Sequence, residues 1–163
     1  MEPAQQPPAP FMIAIDTETT GVGKDKEPVE IGAATVEADS VTFHSMVKPS
    51  RGFHKSARSG IEPGTVATAP DCVTAIENLR EWAAGVTPLG RSAVFVAHNA
   101  SFDCGAIGSG IARCGEGTTP TSLWWYTSSI RCSLQRAKVL KRFGGSSLDD
   151  IYLQLFKEPT AGR

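Results

Sequence analysis

The sequence lacks the features that mark a secreted or a membrane-embedded protein. Its first ten residues include four prolines and no basic start followed by an apolar run, so they do not resemble a secretory signal. No apolar stretch approaches the roughly 20 residues needed to cross a bilayer. We therefore expect a cytoplasmic protein that has no membrane partner.

Cysteine is sparse, and its spacing excludes the common zinc-binding patterns. The four cysteines form no C-x-x-C pair, and no histidine lies at zinc-ligand spacing from them. We expect these residues to be small buried hydrophobes in a reducing compartment. A disulfide is the alternative, but nothing in the sequence supports it. The cysteines are Cys72, Cys104, Cys114 and Cys132.

The chain also lacks an excess of charge of one sign. Sixteen basic and seventeen acidic residues give a net charge of −1, which is not typical of a protein that coats nucleic acid. Two segments, 48–61 and 117–148, nevertheless carry four and five Lys or Arg residues and no acid. Such segments can attract phosphate locally, although solvated loop and helix faces are the alternative.

The chain is long enough for one domain and too short for two ordinary ones. Residues 1–10 are rich in proline and lack aromatic residues, so they cannot bury enough surface to offset their ordering entropy, and we expect a disordered tail. Residues 11–163 are expected to form the single domain.

Hydrophobic patterning predicts an α/β fold. Short apolar or β-branched runs predict five strands, at 11–15, 29–37, 41–47, 93–97 and 123–130. The first three are close enough in sequence to pair antiparallel, whereas the later ones need crossover helices and should be parallel. A mixed five-stranded sheet is therefore expected.

Helices are predicted between and after the later strands. The first should span 70–84, with Pro70 in its first turn and Gly85 ending it. The others are expected to begin near Ala100, to run from Ser133 to a stop at 144–145, and to span 146–156 behind a capping-box pattern. Loops are predicted at 20–26, 49–63 and 115–121.

Two acids stand at the end of the first predicted strand. Asp16 and Glu18 are two residues apart and therefore project from the same face. Like charges held this close are unfavourable unless a cation or a proton lies between them, and Mg²⁺ and Mn²⁺ prefer carboxylate ligands. A D-x-E pair is also common on ordinary surfaces, which is the alternative. The hydroxyls of Thr19 and Thr20, and Gly21, follow directly and suit close approach of a sugar or a phosphate.

A second polar group follows the 93–97 strand. Here an apolar strand runs into a short polar turn that begins at His98, and Asp103 falls in the first turn of the next helix. Taken singly, Asp103 is most simply a helix-start acid, His98 a structural histidine and Phe102 a core residue.

Together, the two groups resemble a known family. Asp16-Thr-Glu-Thr-Thr-Gly21 and His98-Asn-x-x-Phe-Asp103 resemble the first two motifs of the DEDDh 3′-5′ exonucleases, the proofreading-subunit type within the ribonuclease H-like fold. The resemblance extends from about residue 11 to residue 156. It includes the segment Gly60-Ile61-x-Pro-x-x-Val, followed by an amphipathic helix. It implies an α/β, ribonuclease H-like fold in which helices flank the mixed five-stranded sheet.

The resemblance also implies a function and a set of site residues. The activity would be two-metal hydrolysis of nucleic-acid 3′ ends, releasing nucleoside monophosphates. Two Mg²⁺ or Mn²⁺ ions would be bound by Asp16, Glu18 and Asp103. The residues implied to contact or shape the site of the 3′-terminal nucleotide are Thr19, Thr20, Gly21, Ile61, Asn99 and Phe102. The expected partners are single-stranded DNA or RNA 3′ ends, and a polymerase or another protein of nucleic-acid processing, as in proofreading or DNA repair.

The third motif of this family, H-x-x-x-x-D on a final helix, has no match in the chain. No histidine follows His98 and no acid follows Glu158, while Asp149 and Asp150 have the position of helix-start acids. His54, in the basic loop, is a remaining candidate for the missing base. We favour a chain that does not include the final helix. The alternative is a natural variant that binds ends or a protein partner without cutting. Either chain should bind metal weakly and hydrolyse slowly or not at all.

Overall fold

The structure is a computed structural model that describes residues 7–37, 39–53, 60–115, 119–140, 145 and 147–156. In this part of the chain, five strands form one sheet in the order β3-β2-β1-β4-β5. They are β1 (Phe11–Thr19), β2 (Pro28–Thr35), β3 (Thr42–Met46), β4 (Ala93–Ala97) and β5 (Ile130–Cys132). The pairs β1–β2 and β2–β3 are antiparallel, whereas β1–β4 and β4–β5 are parallel. The predicted mixed sheet is confirmed.

Helices follow the hairpin and connect the parallel strands. They are α1 (Pro63–Ala67), α2 (Cys72–Val86), α3 (Ala100–Arg113), α4 (Pro120–Thr127), α5 (Ser133–Leu140) and α6 (Leu148–Phe156). The predicted starts of α3 and α5 and the predicted helix at 146–156 are confirmed. Helix α6 begins behind Ser147, whose hydroxyl accepts the amide of Asp150, as the capping pattern indicated. Asp149 and Asp150 lie in its first turn.

The core lies between one face of the sheet and helices α2, α3 and α4. Alternate residues of β1 (Phe11, Ile13 and Ile15) point into it, because successive side chains of a strand face opposite sides. Ile76 of α2 and Ile107 of α3 are fully buried against them. The four cysteines are free thiols: Cys72 is buried in this core, as predicted, whereas the other three are only half-buried against it.

The prediction of a strand at 123–130 is wrong over most of its length. Pro120–Thr127 is helical, and only Ile130–Cys132 pairs with β4. Local capping explains the helix: the hydroxyl of Thr119 accepts the amide of Ser122, and the hydroxyl of Ser122 accepts the amide of Thr119. Trp125 of this helix is buried beside the ring of Phe95.

Several element boundaries also differ from prediction. Helix α2 begins after its N-cap Asp71, so Pro70 precedes the helix, and Gly85 lies inside it. Strand β1 continues to Thr19, because its last residues still pair with β2. Helix α1 was not predicted, although its Pro63 occupies the first turn where proline is well accommodated.

Several predicted features fall outside the described residues. They are residues 1–6 of the tail, residues 116–118 of a loop, residue 144 at the predicted helix stop, and His54, Lys55, Arg58, Lys141 and Arg142. Within the described part of the chain, no helix is both long and apolar enough to cross a membrane.

Candidate active site

The site lies where β1 extends past the end of its parallel neighbour. β4 pairs with β1 only as far as Ala14, whereas β1 remains paired with β2 up to Thr19. One backbone edge of β1 is therefore not used by β4 beyond Ala14. Ligand sites in open α/β sheets commonly lie at the carboxyl ends of parallel strands, and this edge has that position.

Asp103 fills the edge that β4 leaves. Its Oδ1 accepts the backbone N–H of Thr17 at 3.1 Å and the hydroxyl of Thr17 at 2.8 Å. The residue lies in the first turn of α3, directly after β4, and is only 3% exposed. The start of α3 is thus attached to β1 through one carboxylate, which brings the two sequence motifs together.

A left-handed turn carries the chain from β4 into α3. Asn99, the N-cap residue, has φ 68° and ψ 47°, a conformation that asparagine tolerates better than most residues. The carbonyl of Asn99 accepts the amide of Phe102 at 2.7 Å. The Nδ1 atom of His98 lies 3.0 Å from the hydroxyl of Ser133, which connects the turn to α5.

The three acids named from sequence line one cavity of about 380 Å³. Asp16 is exposed and Glu18 half-buried on β1, opposite the buried Asp103. The other lining residues are Thr17, Thr19, Gly21, Val22, His98, Asn99 and Phe102. The structure therefore gathers most of the residues implied by the family resemblance.

Two residues implied by the resemblance lie elsewhere. Thr20 is directed toward Glu27, whose amide donates to the Thr20 hydroxyl at 3.1 Å. Ile61 packs against a small separate cluster of Val29, Phe53 and Val66, and it is not among the residues that line the cavity.

Burial makes Asp103 an unusual carboxylic acid. Removal of its carboxyl group from water is the main reason why the pKa of Asp103 rises from 3.8 to about 6. The hydrogen bond from the Thr17 hydroxyl lowers this pKa, and the nearby charge of Asp16 raises it further. A cation in the cavity would favour the ionised form of Asp103 and would offset its repulsion from Asp16.

The donor set fits a hard divalent cation in its chemistry and its location. All three acids offer carboxylate oxygens, the ligands that Mg²⁺ and Mn²⁺ prefer, and they line the same cavity. Among the described residues, however, no three His, Cys, Asp or Glu side chains are already close enough together to hold a metal ion. Binding of one ion by all three acids would require their carboxylates to come closer together.

Sequence reasoning missed two residues of the site. Thr17 lies between the two acids of the D-x-E pair. Because successive side chains of a strand alternate, the sequence could have indicated that Thr17 faces the side opposite to these acids. Lys26 places its ammonium group 4.7 Å from the centre of the Phe102 ring. Nothing in the local sequence indicates that second contact.

Similar structures share this architecture. E. coli exonuclease I in its zinc-bound complex with single-stranded DNA superposes with a TM-score of 0.63 at 14% identity, covering 88% of this chain and 35% of that one. The E. coli enzyme with a dA16 oligonucleotide superposes with a TM-score of 0.60 at 13% identity, covering 83% of this chain and 31% of that one. The exonuclease I complex with SSB-Ct gives the same four values. The chain thus spans about a third of these structures. No significant match is found among curated proteins.

The sheet order, the flanking helices and the paired motifs define a protein of the ribonuclease H-like fold with DEDDh-type motifs. The family model described as an exonuclease, RNase_T, matches residues 13–161. The chain belongs to this exonuclease family.

Proposed function

We propose that the chain is the nuclease domain of a metal-dependent 3′-5′ exonuclease that releases nucleoside monophosphates from single-stranded DNA or RNA. The observation that carries this proposal is the meeting of Asp16, Glu18 and Asp103 at one cavity. A polymerase or another nucleic-acid-processing protein is proposed as its partner. The DNA complexes of exonuclease I support the substrate class.

Each group in the cavity has a proposed part in this reaction. Asp16, Glu18 and Asp103 would hold two Mg²⁺ or Mn²⁺ ions, which supply charge stabilisation at the scissile phosphate and activation of water. Thr17 orients the Asp103 carboxylate, and the Asn99 turn presents it. Phe102, Thr19 and Gly21 offer apolar and hydroxyl surface to the terminal nucleotide.

The test is digestion of a 5′-labelled single strand by the chain in Mn²⁺, with long incubation at high protein concentration. We expect a ladder of products shortened from the 3′ end, and release of the terminal monophosphate when the label is moved there. Asp16→Ala and Asp103→Ala should each lower the rate by about 100-fold or more, because each removes a metal ligand.

The matched control is Asp39→Ala, which removes an exposed aspartate from the turn between β2 and β3. It should digest at the rate of the unchanged chain. Full activity in either site variant, or cleavage that starts inside the strand, would overturn the proposal.

A second candidate function is a module that binds nucleic-acid ends without cutting them. It is favoured by the absence of a ready three-ligand metal group in the described residues, together with the exposed basic residues Lys48, Arg51 and Arg136. It predicts end binding that persists in EDTA and weakens when Arg51 or Arg136 is replaced by alanine. A strict metal requirement for binding would exclude it.

A further inference from the structure

Glu27 is a buried acid that the proposed chemistry does not use. It stands directly before β2 and is 3% exposed. Its carbonyl accepts the amide of Thr20 at 2.9 Å, and its own amide donates to the Thr20 hydroxyl at 3.1 Å. The main chain of Glu27 therefore closes the 20–27 loop onto the end of the Asp16–Gly21 motif.

The side chain of Glu27 joins two further parts of the molecule. Its Oε2 accepts the amide of Ser50 at 2.8 Å, and its Oε1 accepts the hydroxyl of Ser50 at 2.9 Å. Oε1 also lies 3.6 Å from Nη1 of Arg113, near the end of α3. Within the described residues that nitrogen is buried without a hydrogen-bond partner, and the Glu27 carboxylate is the acid nearest to it, while Asp25 pairs with the other terminal nitrogen.

Ser50 belongs to the basic segment 48–61, so the hydrogen bonds of Glu27 to Ser50 reach this segment. Lys48 and Arg51, which are both exposed, line a cavity of about 340 Å³ together with Ser50 and Phe53. Two hydrogen bonds to one buried carboxylate hold the main chain and side chain of Ser50, and thereby fix the backbone that carries these two cations. Hydrogen bonds to a charged group are stronger than those between neutral groups, which suits this role.

The same loop reaches the candidate active site on its other side. Lys26, the neighbour of Glu27, lies over the ring of Phe102, which lines the cavity of the three acids. Asp25 pairs with Arg113 at 2.7 Å. The last residues of loop 20–27 therefore contact both α3 and the segment 48–51, and Glu27 itself contacts both.

We propose that Glu27 is a positioning residue that holds the basic surface, defined as Lys48 and Arg51, in register with the cavity of the three acids. A strand whose 3′ end occupies the cavity then has upstream phosphates bound by these cations. This inference rests on the proposed function, because it assumes that the cavity takes a strand end. Glu27 acts through Ser50 and makes no contact with the strand.

The two possible effects of neutralising Glu27 have opposite signs. Removing an acid makes the protein more positive, so on charge alone Glu27→Gln should tighten binding to an anionic strand. Loss of positioning should instead weaken binding and lower the salt dependence, since the slope falls by about one for each phosphate contact that is lost. A merely structural role for Glu27 would lower thermal stability without changing the slope.

The experiment measures fluorescence anisotropy of a labelled single-stranded oligothymidylate with the full chain in EDTA, over a series of salt concentrations. Glu27→Gln should weaken binding about tenfold and reduce the slope. Asp39→Asn is the matched control: it also removes one acid, but from an exposed position in the turn between β2 and β3. This control should bind as tightly as the unchanged chain or slightly more tightly.

A double-mutant cycle then locates the effect. In an Arg51→Ala background, Glu27→Gln should weaken binding much less, because the contact that it positions is already gone. Ser50→Ala, which leaves Glu27 and Arg113 paired, should weaken binding in the same direction and serves if Glu27→Gln does not fold. Melting curves verify folding of each variant.

The outcomes separate the two proposals. If the unchanged chain binds the strand at low salt neither in EDTA nor in Mn²⁺, the proposed function fails. If the unchanged chain binds, and either Glu27→Gln or a folded Ser50→Ala variant binds as tightly with an unchanged slope, the positioning role of Glu27 is overturned.

Discussion

The carboxylate of Asp103 depends on a single residue of the neighbouring strand. Thr17 supplies both a main-chain and a side-chain donor to the same oxygen, Oδ1. A buried carboxylate without such donors would be costly to ionise, since desolvation disfavours the charged form. The hydroxyl of Thr17 is therefore as much a part of the site as the acids are.

Thr17→Val should test this dependence, because valine keeps the shape of threonine and removes the donor. We expect a loss of about 1–3 kcal/mol in the free energy of unfolding and a further rise in the pKa of Asp103. Urea unfolding measures the first effect, and a carboxyl NMR titration measures the second. Thr17→Ser retains the hydroxyl and should lose less than half as much stability; equal losses in the two variants would contradict the argument.

The residues of the site were unequally accessible to sequence reasoning. Asp16, Glu18 and Asp103 could be predicted as site residues because their motifs are local, and each motif carries its own strand or helix context. The contacts of Glu27 with Ser50 and of Lys26 with Phe102 join residues 23 and 76 positions apart in the chain, so local patterning contains no trace of them. Ile61 was placed near the last base by resemblance, whereas its packing partners belong to a separate cluster.

Among the elements, α3 is constrained by a close approach to its neighbours. A Cβ added at Gly110 would lie 2.6 Å from Sγ of Cys72 and 3.0 Å from Cδ of Pro28. Helix α3 can therefore pack against α2 and the start of β2 only with glycine at this position. The same approach brings Arg113, one turn later, within reach of Glu27.

Gly110→Ala should consequently destabilise the fold, although alanine favours helix. Overpacking costs about 1–3 kcal/mol, which exceeds the gain of about 1 kcal/mol in helix propensity. Gly108→Ala is the matched substitution on the same helix, where the added methyl group meets Tyr126 at an ordinary 3.7 Å. Thermal unfolding should show a lower midpoint for the first variant and an equal or higher midpoint for the second. A stabilised Gly110→Ala variant would refute the packing argument.

The strands and helices were predicted well where the hydrophobic period was unambiguous. The hairpin, β4 and α3 have strong patterns and were found in place. The error at 123–130 arose because short aromatic runs suit either a strand or a helix. Here the reciprocal cap of Thr119 and Ser122 favours the helix, and that cap depends on hydroxyl geometry rather than on hydrophobic pattern.

At the scale of the whole molecule, the raised pKa of Asp103 connects stability to pH. The folded state binds the carboxyl proton of Asp103 more tightly than the unfolded chain does, so protonated Asp103 stabilises the fold. This stabilisation is fully present below pH 3.8, falls as the pH rises, and is lost above about pH 6. Asp103→Asn removes this dependence. In EDTA above pH 6 we expect the variant to melt at a higher temperature than the unchanged chain.

The measurement is the difference in melting temperature between the two proteins across pH 4–8, which cancels the titration of other groups. Adding Mn²⁺ at pH 7.5 should raise the melting temperature of the unchanged chain and leave Asp103→Asn unaffected. If the difference in melting temperature does not change with pH, ionisation of Asp103 does not destabilise the folded state, and the argument is contradicted.

The edge of β1 beyond Ala14, which Asp103 occupies, determines which substitutions at position 17 the site tolerates. One of the two donors to Asp103 is the peptide N–H of position 17, which every amino acid except proline supplies. Other substitutions at position 17 can remove the hydroxyl donor to the Asp103 carboxylate, but only proline removes the main-chain donor. The architecture of the sheet thus gives the site a second donor that no substitution at position 17 other than proline removes.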